Sequence, residues 1–290
     1  MRRPCENLVV GDPVTNPENP YPELAVAGSG AIAVGLAALA SANSELVRML
    51  ARSDASADRA REALARTCPR VDGGNAARVE VVTDAAALSG AGLVVEAIVE
   101  DHDLKAELLR RIGDTAPEAD LATTTSSLSI TELGDACGHP DRLFGLHVFN
   151  PVPVMRLVEI CVPERVGDAV GERAAQWCRS AGKTPVPVAD HAGFVVNRLL
   201  FPYLFDAVRL QERTGMPSAD IDTCMSLGLA HPMGPLALLD LVGLDVAVAI
   251  SEALYAESGS PEHRAPESVT AKVEAGELGQ KSGRGFHNYD

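Results

Sequence analysis

A glycine-rich turn between an apolar segment and a helical segment constrains the fold of this chain more than any other feature. The apolar segment Leu24–Ala27 runs directly into a turn with the pattern G-x-G-x-x-G/A. Glycines in such a turn allow tight bending and a close approach of the backbone to a pyrophosphate, which the helix N-terminus then stabilises. The motif predicts a dinucleotide site formed by Gly28, Ser29, Gly30, Ala31, Ile32 and Ala33. Glycine-rich turns also occur where they only allow close packing. The turn by itself therefore does not decide between a dinucleotide site and a packing role.

Strand and helix patterns alternate from this turn to about residue 188. The predicted strands are Leu24–Ala27, Leu46–Leu50, Val79–Val82, Leu93–Val95, Leu121–Thr124, Leu143–His147, Leu157–Val162 and Thr184–Val188. The predicted helices begin at Ala31 and cover Ala57–Ala65, Leu104–Ile112 and Gly171–Ser180. Alternation of this kind is typical of a parallel sheet covered by helices. We therefore predict an α/β Rossmann-type, dinucleotide-binding domain with a parallel sheet over residues 23–188.

The pattern changes beyond Asp190, where only helical periodicity remains. The predicted helices there are Phe194–Glu212, Ile221–Leu227, Leu236–Leu241 and Val246–Tyr255. We predict an all-helical C-terminal domain over residues 189–290, with the boundary near 188–193. Residues 1–22 are rich in proline and lack periodicity, which predicts an extended N-terminal arm.

Charge and cysteine usage exclude several classes of protein. Asp and Glu number 40 against 25 Lys and Arg, a formal net charge of −15, which disfavours binding to nucleic acid or to anionic lipid. The 6 cysteines form no CxxC pair, which indicates reduced thiols, and no histidine or cysteine cluster has metal-ligand spacing, so no metal is expected. The apolar stretch Leu24–Ala40 is too short and too rich in glycine for a membrane span, and the N-terminus does not resemble a signal peptide. We therefore expect a cytoplasmic protein.

The end of the second strand bears on the choice of nicotinamide cofactor. An acidic residue is expected there to bind the adenosine ribose hydroxyls, but the strand ends with Ala51, Arg52 and Ser53. Without the acid, a ribose 2′-phosphate is not repelled, and Arg52 and Ser53 offer donors that could bind it. The sequence favours NADP over NAD. The alternative is that Arg52 is a solvated loop residue and that the cofactor is NAD.

Longer motifs carry a family resemblance. They are Thr125-Ser126-Ser127-Leu128-Ser129-Ile130, the segment from Gly145 to Met155 (GLHVFNPVPVM), Leu157-Val158-Glu159, Gly193-Phe194-Val195-Val196-Asn197-Arg198, His231-Pro232-Met233-Gly234-Pro235 and Lys281-Ser282-Gly283-Arg284-Gly285-Phe286. From about Leu24 to Tyr289 the chain resembles the 3-hydroxyacyl-CoA dehydrogenase family, which includes the 3-hydroxybutyryl-CoA dehydrogenases. The resemblance implies a Rossmann-type domain, a helical domain through which subunits pair as a homodimer, and a substrate cleft between the two domains.

The reaction that the resemblance implies explains four of the motif residues. Hydride transfer between C3 of a hydroxyacyl thioester and nicotinamide requires a base for the hydroxyl proton, and imidazole titrates closest to neutral pH. The resemblance implies His147 as this base and Glu159 as the carboxylate that orients it. It further implies that Ser126 binds the reacting oxygen near the nicotinamide and that Asn197 polarises the substrate. Each residue taken alone also has an ordinary structural explanation, and their joint occurrence favours the catalytic one.

The same resemblance implies further cofactor contacts and shows where this chain departs from the family. The implied contacts are Glu100, Lys105, Asn150 and Lys281, in addition to Ser126. Ala51 replaces the usual acid, Ala33 replaces the third glycine, and the segment Ala51–Thr83 is shorter than in typical members, where a helical pair contacts coenzyme A.

The nature of the acyl carrier is left open by this shortened segment. Between Arg48 and Arg78 the chain carries an excess of arginine over acid, which suits the 3′-phosphate of CoA, the acidic surface of an acyl carrier protein, or simply a solvated helix face. The region resembles dehydrogenases of polyketide extender-unit pathways, which act on carrier-linked hydroxyacyl groups. Two other functions remain as alternatives, a dehydrogenase of free hydroxy acids similar to the gulonate type and a non-catalytic relative similar to the lambda-crystallin type.

Overall fold

The computed structural model describes residues 18–289, which group into two compact units. The first unit contains the described residues up to Thr125 together with Ile130–Pro187, and the second contains Ser126–Ser129 and the chain from Val188 onward. Residues 1–17 of the predicted N-terminal arm lie outside the described part of the chain. Within residues 18–289, no helix is both long enough and apolar enough to cross a membrane.

The first unit is an eight-stranded sheet with helices between its strands. Its strands are β1 (Glu23–Ala27), β2 (Leu46–Leu50), β3 (Val79–Val82), β4 (Leu93–Glu96), β5 (Asp120–Thr123), β6 (Leu143–Val148), β7 (Leu157–Cys161) and β8 (Thr184–Val188). Its helices are α1 (Ala31–Ala40), α2 (Asp54–Thr67), α3 (His102–Thr115), α4 (Ile130–Cys137) and α5 (Asp168–Ser180). The order of the strands across the sheet is β3-β2-β1-β4-β5-β6-β7-β8.

The sheet is parallel from β3 to β6, and its central strands are buried on both faces. Every residue of β4, β5 and β6 is buried, because the helices between the strands cover the sheet. Val26, Val95 and Phe144 belong to one continuous core with Leu36 of α1 and Trp177 of α5. The order of the strands reverses at β1, between β2 and β4, and the glycine turn follows β1 at this switch point. The predicted Rossmann-type fold class is confirmed.

One strand pair corrects the prediction of a wholly parallel sheet. β7 runs antiparallel to β6, with His147 opposite Glu159 in the register. Only residues 149–156 join the two strands. A parallel pair requires a crossover of about a dozen residues or more, so a connection this short can form only an antiparallel pair.

The structure also corrects the predicted helices. Helix α2 begins at Asp54 and not at Ala57, because Ser53 caps it through a reciprocal pair of bonds with Ser56. Helix α4 was not predicted, since its short segment contains Gly134 and offers little periodicity.

The second unit is helical, as predicted. Its helices are α6 (Val196–Thr214), α7 (Ser218–Gly228), α8 (Pro235–Val242), α9 (Leu244–Ser258) and α10 (Glu267–Glu274), of which α10 was not predicted. Phe201, Phe205 and Leu204 of α6 pack with Leu239 and Leu254 in the core of this unit.

Within the second unit, a buried carboxylate of α8 holds the C-terminal segment in place. Asp240 is fully buried and accepts hydrogen bonds from the backbone N–H groups of Phe286 (2.9 Å) and His287 (2.8 Å) and from the Tyr289 hydroxyl (3.0 Å). His287 Nε2 lies 2.7 Å from Asp222 Oδ2. These contacts fix the segment that carries Lys281.

Candidate active site

The glycine turn has the geometry that a bound pyrophosphate requires. Gly28 has φ +141°, and a Cβ at this position would lie 2.2 Å from the carbonyl oxygen of Ala97, so only glycine fits. Gly30 is the N-cap residue that precedes α1, and a Cβ there would meet no atom within 4 Å, which leaves open space for a ligand. No side chain caps α1 and no acid occupies its first turn. The N–H groups and the positive end of the helix therefore suit an anionic group, and the residues present fit a dinucleotide.

A cavity of about 230 Å³ opens beside this turn. It is lined by Gly28, Ser29, Leu50, Ala51, Arg52, Thr83, Ile98, Leu108 and Arg111. Among these lining residues none is acidic, and two are arginines. Sequence analysis did not find Arg111, because an arginine on a distant helix has the appearance of an ordinary solvated residue.

Ser53 does not line this cavity. Its Oγ accepts a hydrogen bond from the N–H of Ser56 (3.3 Å), and its own N–H donates to Ser56 Oγ (3.0 Å). The side chain therefore serves first as the cap of α2. A contact between Ser53 and a cofactor stays a prediction.

A second cavity, of about 640 Å³, also borders the turn. Its lining residues are Ser29, Gly30, Ala31, Val34, Gly35, Arg59, Ala63, Arg66, Thr67, Arg70, Asn150, Pro151, Val152, Pro153 and Val154. Ser29 lines both cavities. Three arginines of α2 and the turn after it face this second cavity, and no acid is found among its described lining residues. Asn150, a predicted cofactor contact, lies in its wall.

His147 and Glu159 form a buried pair at the end of β6. His147 Nδ1 lies 2.7 Å from Glu159 Oε2, and the two residues are 5% and 2% exposed. A carboxylate only accepts hydrogen bonds, so Nδ1 carries the proton and Nε2 is the basic nitrogen of the neutral ring. The Phe149 ring packs at 4.5 Å from the imidazole, between ring centroids. The arrangement can accept a proton at Nε2 and stabilise the resulting imidazolium through the carboxylate.

Lys105 lies inside the first unit in a network of carboxylates. Its side chain is almost wholly inaccessible, and Nζ donates to Glu96 Oε1 (2.8 Å) and Oε2 (3.0 Å). The same Nζ lies 3.4 Å from Glu100 Oε2. Thr123 donates to Glu96 (2.6 Å), and Thr125 donates to Glu100 (2.6 Å). The ammonium therefore fixes the position of Glu100, while its own direct contact with a cofactor stays a prediction.

Glu96 is a further residue that sequence analysis missed. It is fully buried and also accepts a hydrogen bond from the N–H of Ile98 (2.7 Å), so it shapes the loop that follows β4. The signal in the sequence was an acid that ends an otherwise apolar strand, with a lysine nine positions later. Burial of the two as a pair could have been inferred from that spacing on a strand and the following helix.

The remaining predicted site residues belong to the second unit. Ser126 is half-buried in the segment Ser126–Ser129, and Asn197 is a buried residue in the first turn of α6. Lys281 Nζ lies 2.6 Å from Asp245 Oδ2. Burial opposes ionisation of Asp245, but the hydrogen bonds from Lys281 and from backbone N–H groups outweigh it and hold the pKa of this carboxyl below its usual value. The predicted roles of Ser126, Asn197 and Lys281 stay predictions.

Comparison with known families identifies the class of protein. The strand order and the glycine turn at the switch point define a dinucleotide-binding unit of the Rossmann class. Residues 23–191 match the model of the 3-hydroxyacyl-CoA dehydrogenase NAD binding domain, and residues 193–289 match that of the 3-hydroxyacyl-CoA dehydrogenase C-terminal domain. The chain therefore belongs to the 3-hydroxyacyl-CoA dehydrogenase family, and the resemblance found in the sequence is confirmed.

Individual relatives agree with this assignment. The chain is 43% identical over 210 residues to a 3-hydroxybutyryl-CoA dehydrogenase of Mycobacterium tuberculosis, covering 71% of this chain and 73% of the relative. It is 45% identical over 210 residues to the mitochondrial hydroxyacyl-coenzyme A dehydrogenase of Mus musculus, covering 71% and 67% of the two chains. Among solved structures, (S)-3-hydroxybutyryl-CoA dehydrogenase PaaH1 of Ralstonia eutropha superposes with a TM-score of 0.88 at 34% identity, covering 93% of this chain and 99% of that one.

Proposed function

We propose that this protein is a dehydrogenase that transfers a hydride between a nicotinamide cofactor and C3 of a 3-hydroxyacyl thioester. The observation that carries the proposal is the buried pair of His147 and Glu159, which supplies an oriented base at the end of a strand of a dinucleotide-binding sheet. The relatives from Mycobacterium tuberculosis and Ralstonia eutropha are named as 3-hydroxybutyryl-CoA dehydrogenases, and their similarity supports the same substrate class.

The side chains of this chain move the proton of the reaction. His147 Nε2 accepts the proton of the substrate hydroxyl during oxidation and returns it during reduction. Glu159 keeps Nδ1 protonated and stabilises the imidazolium while it carries the extra proton. Ser126 hydrogen-bonds the reacting oxygen, and Asn197 polarises the substrate. When bound, the nicotinamide ring would accept or supply the hydride.

A substrate panel tests this proposal. The purified full chain is assayed with 3-hydroxybutyryl-CoA, the same acyl group on a carrier protein, and free 3-hydroxybutyrate, each with NAD and with NADP. We expect turnover of a thioester and little or none of the free acid. Faster turnover of the free acid would instead assign the protein to the gulonate type, and no turnover of any hydroxyacyl substrate by a folded, cofactor-binding protein would support the crystallin type.

We propose further that the cofactor is NADP rather than NAD. The family domain that matches this chain is described as NAD binding. In this chain, however, the residue that follows β2 is the buried Ala51, and Arg52 lines the adjoining cavity. A guanidinium in that position binds a 2′-phosphate, whereas the missing carboxylate would have bound the ribose hydroxyls and repelled the phosphate.

A carrier-linked substrate is the second candidate for the acyl thioester. The larger cavity contains Arg59, Arg66 and Arg70, which are all exposed, and such a surface attracts a phosphate or an acidic protein. If an acidic carrier protein docks there, activity on the carrier-linked substrate falls steeply as salt rises above about 0.15 M, where the Debye length is about 8 Å. Reversing charge with Arg59→Glu and Arg66→Glu then slows association more than chemistry, while Arg213→Glu in the second unit serves as a matched control.

The outcome for the thioesters separates the two carriers. If high salt and charge reversal reduce activity only on the carrier-linked substrate, and activity on a short pantetheine thioester is unaffected, the result supports docking of a carrier protein. Equal turnover of CoA and carrier-linked esters, with no loss on charge reversal, leaves an ordinary hydroxyacyl-CoA enzyme.

We also propose that the second unit pairs with a second copy of the chain. Its exposed apolar side chains include Leu199, Leu227, Leu229, Leu241 and Val246, which are 41% to 81% accessible. Exposed apolar side chains in this number favour an interface. Light scattering tests the pairing: we expect twice the chain mass of 30.4 kDa, and a shift toward the monomer for Leu227→Glu. A monomer at all concentrations would contradict it.

A further inference from the structure

We infer that Arg111 is a second cationic contact for the ribose 2′-phosphate of the cofactor and that it determines, together with Arg52, the preference for a phosphorylated dinucleotide. The inference rests on the proposed function, since it takes the glycine turn to be the dinucleotide site and NADP to be the cofactor. The carrying observation is that Arg52 and Arg111, 59 positions apart in the chain, line one cavity beside that turn.

The charge of this cavity differs from that of the protein as a whole. The chain has a formal net charge of −15, but the described lining of this cavity contains two guanidinium groups and no carboxylate. Such a local excess of positive charge attracts an anion against the overall field. The family position that would add a negative charge here is occupied by Ala51.

Within residues 18–289, no carboxylate forms an ion pair with Arg111 and neutralises its charge. Neither Arg111 nor Arg52 forms an ion pair with any described acid. The neighbouring Arg110, by contrast, lies 3.6 Å from Asp114 in an exposed pair one helical turn away. The Arg111 carbonyl oxygen accepts a hydrogen bond from the Thr115 hydroxyl (2.8 Å), and no hydrogen bond between the described residues involves the Arg111 guanidinium.

The same face of α3 also provides an apolar wall. Leu108 precedes Arg111 by three positions, so the two side chains lie on one face of the helix and line the cavity together. Leu50, Ala51 and Ile98 also contribute to the apolar lining. An adenine ring can pack against these side chains while the phosphate on its ribose meets the arginines.

A phosphate monoester matches two guanidinium groups better than one. It carries close to two negative charges and three acceptor oxygens, and a single arginine fork binds two of them. A phosphorylated adenosine could also come from coenzyme A, whose phosphate is at the 3′ position. The glycine turn lines this cavity through Gly28 and Ser29, which favours the 2′-phosphate of the nicotinamide cofactor.

Fragment binding tests the inference independently of catalysis. The affinities of the full chain for 2′,5′-ADP, 3′,5′-ADP and 5′-AMP are measured by calorimetry, for the parent and for Arg111→Gln, Arg111→Lys and Arg110→Gln. We expect the parent to bind 2′,5′-ADP most tightly. Arg111→Gln should weaken the binding of 2′,5′-ADP about tenfold or more, because a charged hydrogen-bond pair is lost. The affinity for 5′-AMP should stay nearly unchanged.

The variants make the outcome decisive. Arg111→Lys should restore part of the affinity because it keeps the charge and loses the fork, and Arg110→Gln should change nothing. An unchanged affinity of Arg111→Gln for 2′,5′-ADP, an equal loss for 5′-AMP, or a parent that prefers 3′,5′-ADP would overturn the inference. Absence of dehydrogenase activity would defeat the proposed function and leave these affinities as they are, so the two failures are distinguishable.

Discussion

His147 and Glu159 stand directly opposite each other in the antiparallel pair β6–β7, with Nδ1 of the imidazole 2.7 Å from the carboxylate. They are 12 positions apart in the chain, and the short connection between the strands brings them into register. Taking both groups out of water is unfavourable unless the geometry is good, and the short hydrogen bond offsets that penalty. The hairpin therefore holds the imidazole in one tautomer and one orientation.

Replacing His147 tests whether this imidazole is the base. We expect His147→Gln to reduce turnover by about 10²–10⁴-fold with the fold retained, because general-base catalysis contributes that much. The matched control is His102→Gln, which alters an exposed imidazole at the start of α3 and should leave turnover unchanged. Steady-state kinetics and circular dichroism provide the measurements. Activity of His147→Gln within a few fold of the parent would contradict the assignment.

Glu159→Gln keeps the shape of the side chain and removes its charge. We expect lower turnover and a pH–rate profile that differs from that of the parent, because the charge that orients the ring is lost. A merely structural role would lower activity without moving the profile. The profile of kcat/KM from pH 5 to 9 is the measurement, and an unchanged profile with unchanged turnover refutes the pair.

The end of β2 should determine the choice of cofactor. We expect the parent to bind NADPH more tightly than NADH, and Ala51→Asp combined with Arg52→Ala to reverse the order. The new carboxylate would bind ribose hydroxyls and repel a phosphate. Cofactor fluorescence titrations measure both affinities. A parent that prefers NADH by tenfold would show that Arg52 is only a solvated residue.

Lys105→Met should destabilise the first unit strongly. It leaves Glu96 buried without a counter-charge, and breaking a buried ion pair by removing one partner lowers the free energy of unfolding by about 3–5 kcal/mol. The double variant Glu96→Gln/Lys105→Met should lose less free energy of unfolding than Lys105→Met, because it buries no unpaired charge. Trp177 is the single tryptophan, is buried in the first unit and reports its unfolding in urea. A loss below about 1 kcal/mol, equal to that of the surface variant Arg110→Met, would mean that the pair contributes little.

Tyr289 makes the stability of the second unit depend on pH at the alkaline end. Burial and the hydrogen bond to Asp240 raise the pKa of Tyr289 to about 12, from 10.0. The unfolded chain therefore loses this proton first, and the contribution is complete below about pH 10 and is lost as pH rises towards 12. Tyr289→Phe should remove that part of the dependence. The measurement is the thermal unfolding temperature of both proteins from pH 8 to 12. Parallel plots of that temperature against pH for the two proteins would contradict the prediction.

The sequence alone was sufficient for the strands of the first unit and for most helices, although α4 and α10 were missed. The glycine turn, the alternation of apolar strands with helices and the later change to helical periodicity are local patterns, and local patterns follow from backbone sterics and side-chain periodicity. They located all eight strands of the first unit to within a residue or two. The family motifs likewise pointed to His147 and Glu159 before their distance was known.

Tertiary structure decided the features that depend on residues far apart in the chain. The direction of β7 follows from the length of a connection, and the burial of Lys105 follows from how α3 packs on the sheet. Arg52 and Arg111 line the same cavity because the end of β2 and α3 both border it. Periodicity shows which face of a helix is apolar, but not which distant charge will lie beside it. A charged side chain has one local appearance whether solvent, a buried carboxylate or a ligand surrounds it, because the surrounding dielectric and the partner groups are set only when the chain is packed.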